Sequence, residues 1–146
     1  MTPEIRNAPY SVVLYGASRQ HQPGTCYGDD IRALLDRVWP VLRQQQISNR
    51  GINHVVYSAG DDVFAGVEVE VADAAAVGLT RREVQLDRYA YARHVGPYSG
   101  LPAACESLQA WLAAQGHRAT APLIEVYGHW TDDQSKLETE LIQAFT

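Results

Sequence analysis

Pro122-Leu123-Ile124-Glu125-Val126-Tyr127 is a short β-branched run entered through a proline, and it reads as a strand. Alternation sets Leu123, Glu125, Tyr127 and His129 on one face and Ile124, Val126 and Trp130 on the other. If the second set packs on a helix, the first looks into a cavity or solvent. A carboxylate taken out of water costs several kcal/mol unless a cation or hydrogen-bond donors compensate it. Glu125 is therefore either a rim residue or the receiver of something positively charged.

A related run lies 70 positions earlier. At that offset Val56 falls on Val126, Tyr57 on Tyr127, Asp62 on Asp132, Glu68 on Glu138 and Glu70 on Glu140, and Trp39 and Trp111 take comparable places. The elements around the two runs repeat as well. Residues 11–17 read as a strand. Ile31, Leu34, Leu35, Val38 and Leu42 then recur at helical spacing, predicting a helix over residues 30–45 that opens on acids and bends at Pro40. Residues 52–58 and the alternating residues 63–71 form a hairpin across Gly60-Asp61-Asp62, followed by a small-residue connection over 72–82. Residues 84–95 read as strand with a break near Asp87-Arg88. A second helix carries Leu101, Ala104, Cys105, Leu108, Trp111 and Leu112 on one face and stops at Gly116. The Glu125 strand, a turn at Asp132-Asp133 and a strand over residues 137–145 complete the chain.

The expected fold is α+β, one domain over residues 1–146 built from duplicated β-α-β-β units at about 8–72 and 83–146. Two such units align into a curved antiparallel sheet with both helices on one face and a ligand cleft on the other. Tyr57 and Glu125 are expected to point into that cleft, away from the helices.

Composition narrows the function. The chain has 146 residues, enough for one domain with a sizeable core, and its formal charge of −5 argues against nonspecific nucleic-acid binding. Cys26 and Cys105 are far apart and lack a CxxC partner, so Cys105 reads as a buried free thiol. No basic n-region with an apolar stretch opens the sequence and no run is long enough for a membrane span, so the expected location is cytoplasmic. There is no HExxH, GxSxG elbow, phosphate loop or basic helix-turn-helix. No metal or cofactor is expected, and no direct nucleic-acid or membrane partner.

Glu125 with Tyr57, Tyr127, Tyr91 and Trp39 makes an acidic and aromatic constellation suited to a flat organic cation. The plainer alternative is that the tyrosines pack an edge, Glu125 sits at a rim and Trp39 belongs to a core stripe. Glu68 and Glu70 read as a solvated strand face, His129 as a surface residue at a strand end, and His94 as a turn residue.

Tyr89-Ala90, His94-Val95-Gly96-Pro97-Tyr98, Leu108 with Trp111-Leu112, Gly116, and Pro122 with Glu125-Val126-Tyr127 together resemble the GyrI-like, or AraC-type effector-binding, domain family. The resemblance spans essentially the whole chain and implies the duplicated fold with a central ligand cleft. It also implies that the acid matching Glu125 meets lipophilic cations among aromatic residues. Multidrug-sensing members carry a DNA-binding domain that this chain lacks, so a transcriptional role would require a separate regulator partner. Other relatives are hydrolases of cyclopropane-bearing electrophiles, in which the acid matching Glu125 activates water, and others inhibit gyrase by protein contact. The expected function is binding of aromatic, cationic small molecules; a hydrolase with Glu125 as general base is the alternative, and a protein-interaction module the third reading. Whether the chain is an enzyme, and its oligomeric state, stay open at this point.

Overall fold

The computed structural model describes residues 1–69 and 78–146. Its elements run β1 (Glu4–Arg6), β2 (Tyr10–Gln20), α1 (Tyr27–Gln44), β3 (His54–Ser58), β4 (Asp62–Val67), β5 (Thr80–Leu86), β6 (Tyr89–Val95), α2 (Leu101–Ala114), β7 (Ala119–Tyr127) and β8 (Glu138–Phe145). Glu70, Val71 and most of the connection expected over 72–82 fall outside the described residues, and residues 80–82 belong to β5. Pro40 lies within α1 on its exposed side, so the bond it removes from the Asp36 carbonyl opens to water.

The eight strands form one antiparallel sheet in the order β1-β6-β8-β7-β3-β4-β2-β5. The order reads the same from both ends once the units are matched. One unit is β2-α1-β3-β4 and the other is β6-α2-β7-β8, joined where β3 pairs with β7. The break at Asp87-Arg88 is real, and it has a topological consequence. β5 precedes β6 in the chain but pairs with β2, while β1 precedes β2 but pairs with β6. Each unit thus carries the other's leading strand at its edge, and this reciprocal exchange ties the halves together.

The repeat offset holds only in part. On the helices Leu34, Val38 and Leu42 correspond to Ala104, Leu108 and Leu112, all buried against the sheet. Along β3 and β7 the offset of 70 also holds, but the partner strands have slipped. Val63 and Ala65 pair with Tyr57 and Val55, whereas Thr139 and Leu141 pair with Tyr127 and Glu125, so β4 and β8 correspond at 76. The longer connection between β7 and β8 absorbs the difference. The acid matches Asp62/Asp132 and Glu68/Glu138 are therefore coincidences of composition and not structural counterparts.

One expectation about the faces is overturned. Val55, Tyr57 and Tyr127 pack with Leu34, Val38 and Leu42 of α1, so Glu125 and its neighbours lie on the helix-bearing face, not on the opposite one. The helix-free face is not an open groove for most of its length. It buries Val12, Leu14, Val56, Phe64, Tyr89, Tyr91, Ile124 and Ile142, because the sheet curls on itself until Tyr10 of β2 meets Tyr89 of β6 edge-on at 5.6 Å. Each set of alternating residues on β7 consequently has a buried member, Glu125 in one and Ile124 in the other, and apolar character alone could not say which set the helices cover.

Gly16 and Gly66 permit the curl. They are paired across β2 and β4, and a Cβ at Gly16 would lie 2.0 Å from the Ala65 carbonyl oxygen and 2.6 Å from Gly66 Cα. Backbone cannot yield as a flexible side chain can. Gly16→Ala should therefore lower stability by about 1–3 kcal/mol or more. Gly28→Ala, near the start of α1 with only Cys26 Sγ at 3.5 Å, should raise it by ~0.5–1 kcal/mol. Urea unfolding midpoints of the two variants should move in opposite directions.

Candidate functional site

The geometry of the β3–β7 pair singles out one position. His54, Val55, Val56 and Tyr57 face Val126, Glu125, Ile124 and Leu123. Val55 is the residue whose pairing partner is also its repeat counterpart, so the pseudo-twofold axis passes between Val55 and Glu125. Two residues from the axis on each strand stand Tyr57 and Tyr127, which are counterparts of each other. Both hydroxyls donate to the same oxygen, Glu125 Oε1, at 2.8 Å. On the other oxygen, the Cys105 thiol of α2 donates to Oε2 at 3.8 Å.

Glu125 is only 4% exposed, in the space on the sheet between α1 and α2. Burial pushes its carboxyl above the ordinary value of 4.5, and donation from Tyr127, Tyr57 and Cys105 opposes that rise. The donors are affected in turn. Burial, then the charge of Glu125, raises both tyrosines, and the same causes push the Cys105 thiol up to about 12. Cys105 is thus a protonated donor at neutral pH and not a thiolate nucleophile.

A second aromatic layer lies over the first. Tyr27, at the start of α1, stands edge-on to Tyr57 at 5.3 Å, and Tyr98, in the turn leading into α2, is tilted against Tyr127 at 5.3 Å. These outer rings are 41% and 39% exposed, so each half of the molecule supplies one half-buried inner tyrosine and one exposed outer one. Tyr27 is held from behind by His21, stacked on it at 3.7 Å. His21 Nδ1 lies 2.5 Å from Asp30, a buried carboxylate that Arg19 also meets at 3.1 Å. The acid expected to begin the first helix is therefore spent on anchoring this rim.

The sequence-derived constellation is partly assembled. Glu125, Tyr57 and Tyr127 meet. Trp39 packs against the same α1 cluster as the tyrosines, but its indole N–H donates to Asn53 Oδ1 at 2.9 Å. Tyr91 is not brought to Glu125. It lies on the helix-free face under the Arg6 guanidinium, 3.4 Å from the ring centroid, because tyrosines on β6 alternate with Ala90 and Ala92, which face α2. His129 lies beyond the end of β7 and is exposed. Tyr27 and Tyr98 were missed, although their common place at the two helix starts, 71 positions apart, is a repeat signal in its own right.

Among the described residues no group of His, Cys, Asp and Glu is arranged to hold a metal ion, and no helix is long and apolar enough to cross a membrane. What the arrangement offers is a desolvated carboxylate, neutral donors and stacked aromatic rings.

Comparison with known proteins gives a consistent picture. The fold matches the crystal structure of the EcmrR C-terminal domain with a TM-score of 0.72 at 15% identity, over 99% of this chain and 97% of that one. It matches SAV2435, whose structure holds tetraphenylphosphonium, with a TM-score of 0.68 at 13% identity over 100% and 94%. A hydrolase from Listeria innocua matches with a TM-score of 0.59 at 13% identity over 99% and 91%. At these identities the structures show shared fold alone, and no curated protein sequence matches the chain. The sequence profile of the GyrI-like small molecule binding domain matches residues 24–144, and the chain belongs to that family.

Proposed function

We propose that the chain binds flat aromatic cations between α1 and α2, with Glu125 as the counter-charge. The observation that carries this reading is the convergence of two counterpart tyrosines on one buried carboxylate at the pseudo-twofold axis. Without a ligand, Tyr57, Tyr127 and Cys105 satisfy the carboxylate. A cation entering between Tyr27 and Tyr98 would lie against ring faces and replace neutral donors with a full charge, an exchange strengthened by the absence of water. Trp39 supplies apolar wall from α1, whereas Tyr91 has no place in this site. The tetraphenylphosphonium complex of SAV2435 supports the ligand class by analogy of fold. The match to EcmrR is to a C-terminal domain, so the same fold occurs within a longer chain.

A second reading has its own observation. Oε1 is occupied by two tyrosines, while Oε2 has only a long contact to a thiol, which leaves it free to take a proton from water. A carboxyl with a raised pKa is a better base, and a matching fold belongs to a hydrolase. This reading requires turnover of an electrophilic substrate that stops in Glu125→Gln.

Glu125→Gln keeps the shape of the site and removes the charge. Tetraphenylphosphonium should then bind at least ~10-fold more weakly, about 1.4 kcal/mol, while the neutral triphenylphosphine oxide changes by less than ~3-fold. Thermal shift and calorimetry on both proteins read this directly; equal loss for both ligands, or for neither, would sink the cation reading.

The pH dependence follows from the direction of the Glu125 shift. The folded state holds its proton more tightly than the unfolded chain, so stability present below 4.5 is lost as pH rises through the raised folded value. Cation affinity runs the other way. A proton must leave before the cation can pair, so affinity falls up to ~10-fold per unit as pH drops below the folded value. Calorimetric titrations and urea midpoints across that window should show the two opposite slopes, and Glu125→Gln should flatten both.

A further inference from the structure

The helix-free face is filled along most of its length but opens at one end into a cavity of about 250 Å³. Its floor follows from the register. Arg93 faces Glu140, Glu140 faces Val126, Val126 faces His54, and His54 faces Gly66, so five directly opposed residues cross five strands on one face. Gly66 adds no side chain over His54, and the space above the row stays empty of protein. Ile52 and Val126 make the apolar part of the floor.

The polar groups around it come in two sets. Glu68, from beyond the end of β4, approaches His54 Nε2 at 3.7 Å, and Glu140 of β8 arrives from the other half of the molecule. Arg50 and Arg93 stand at the rim and are exposed. Among the described residues neither Arg50 nor Glu140 forms a salt bridge or side-chain hydrogen bond, while Arg93 meets Tyr91 and, at 4.0 Å, Glu138. His54 itself is 4% exposed, and its other ring nitrogen makes one long contact, 3.3 Å, to the Ile52 carbonyl. Burial lowers its pKa, so the ring is neutral and adds no cation of its own.

An unpaired acid, Glu140, and an unpaired guanidinium, Arg50, over an apolar floor do not suit the ligand class of the Glu125 site. A lone cation would leave Arg50 without a partner, and a lone anion would meet the carboxylates. The volume also lies below the roughly 300 Å³ at which pockets for drug-sized molecules begin. We propose that this cavity is a second ligand site, for a small aliphatic zwitterion of the α-amino-acid type. The ammonium group lies between Glu68 and Glu140 above His54, the carboxylate meets Arg50 and Arg93, and the aliphatic part covers Ile52 and Val126. The site is on the other face of the sheet from Glu125, with Tyr127, which donates to Glu125, also on its border.

The test is a titration of the full chain, followed by NMR of the backbone amides and the His54 ring, with three probes of one shape. L-leucine carries both charges, L-leucinamide lacks the carboxylate, and N-acetyl-L-leucine lacks the ammonium. L-leucine should perturb His54, Ile52 and Val126, and the other two should bind at least ~10-fold more weakly. Arg50→Gln and Glu140→Gln should each weaken leucine by at least ~10-fold with the rest of the spectrum unchanged, and Glu125→Gln should leave it alone. Arg50 is exposed, so its variant keeps the test valid even if Glu140→Gln disturbs the sheet. The proposal fails if leucine leaves His54 unperturbed at tens of millimolar, if all three probes bind alike, or if Arg50→Gln binds leucine as the wild type does.

Discussion

A single carboxylate on a pseudo-twofold axis sets the character of this molecule. Strict repetition would put the same side chain on both sides of that axis. Two facing glutamates there could not both ionise without strong repulsion. Two valines would leave Tyr57 and Tyr127 with no buried acceptor. Val55 opposite Glu125 avoids both outcomes, and the two tyrosines bond to one oxygen because one carboxylate is all there is. Symmetry supplies the matched donors, and its local breaking supplies the charge.

That arrangement is held by the sheet around it. The exchange of β1 and β5 between units gives each half an edge strand from the other. The curl at Gly16 and Gly66 lets the helix-free face bury its own side chains without a covering layer. On the other face α1 and α2 pack over separate halves of the sheet, one on each side of the axis. The same curl leaves a polar cavity at one end, lined by residues of both halves. A close-packed glycine pair and the polar cavity are thus parts of one packing solution.

The carboxylate and its donors also show why burial here is not simple stabilisation. Each donor compensates part of the desolvation of Glu125, and each is itself pushed toward its neutral form by the same burial. The result is a buried carboxyl whose desolvation is offset only by neutral donors. A core built only for stability would place an apolar residue there, as the other half does with Val55.

Much of this was legible in the residues alone. Helical spacing located both helices, the β-branched runs located the central strands, and an acid in such a run drew attention to the position where Glu125 meets Tyr57 and Tyr127. The offset of 70 exposed the duplication because helix and central-strand positions carry the same packing demands in both halves. It misled at the acids, where solvent-facing positions carry little constraint and a longer connection had shifted the register to 76. Which face the helices cover, and hence the fate of Tyr91, depended on strands far apart in sequence. Alternation specifies two faces of a strand but not which neighbour each will meet. When a curled sheet buries both, only the tertiary structure decides.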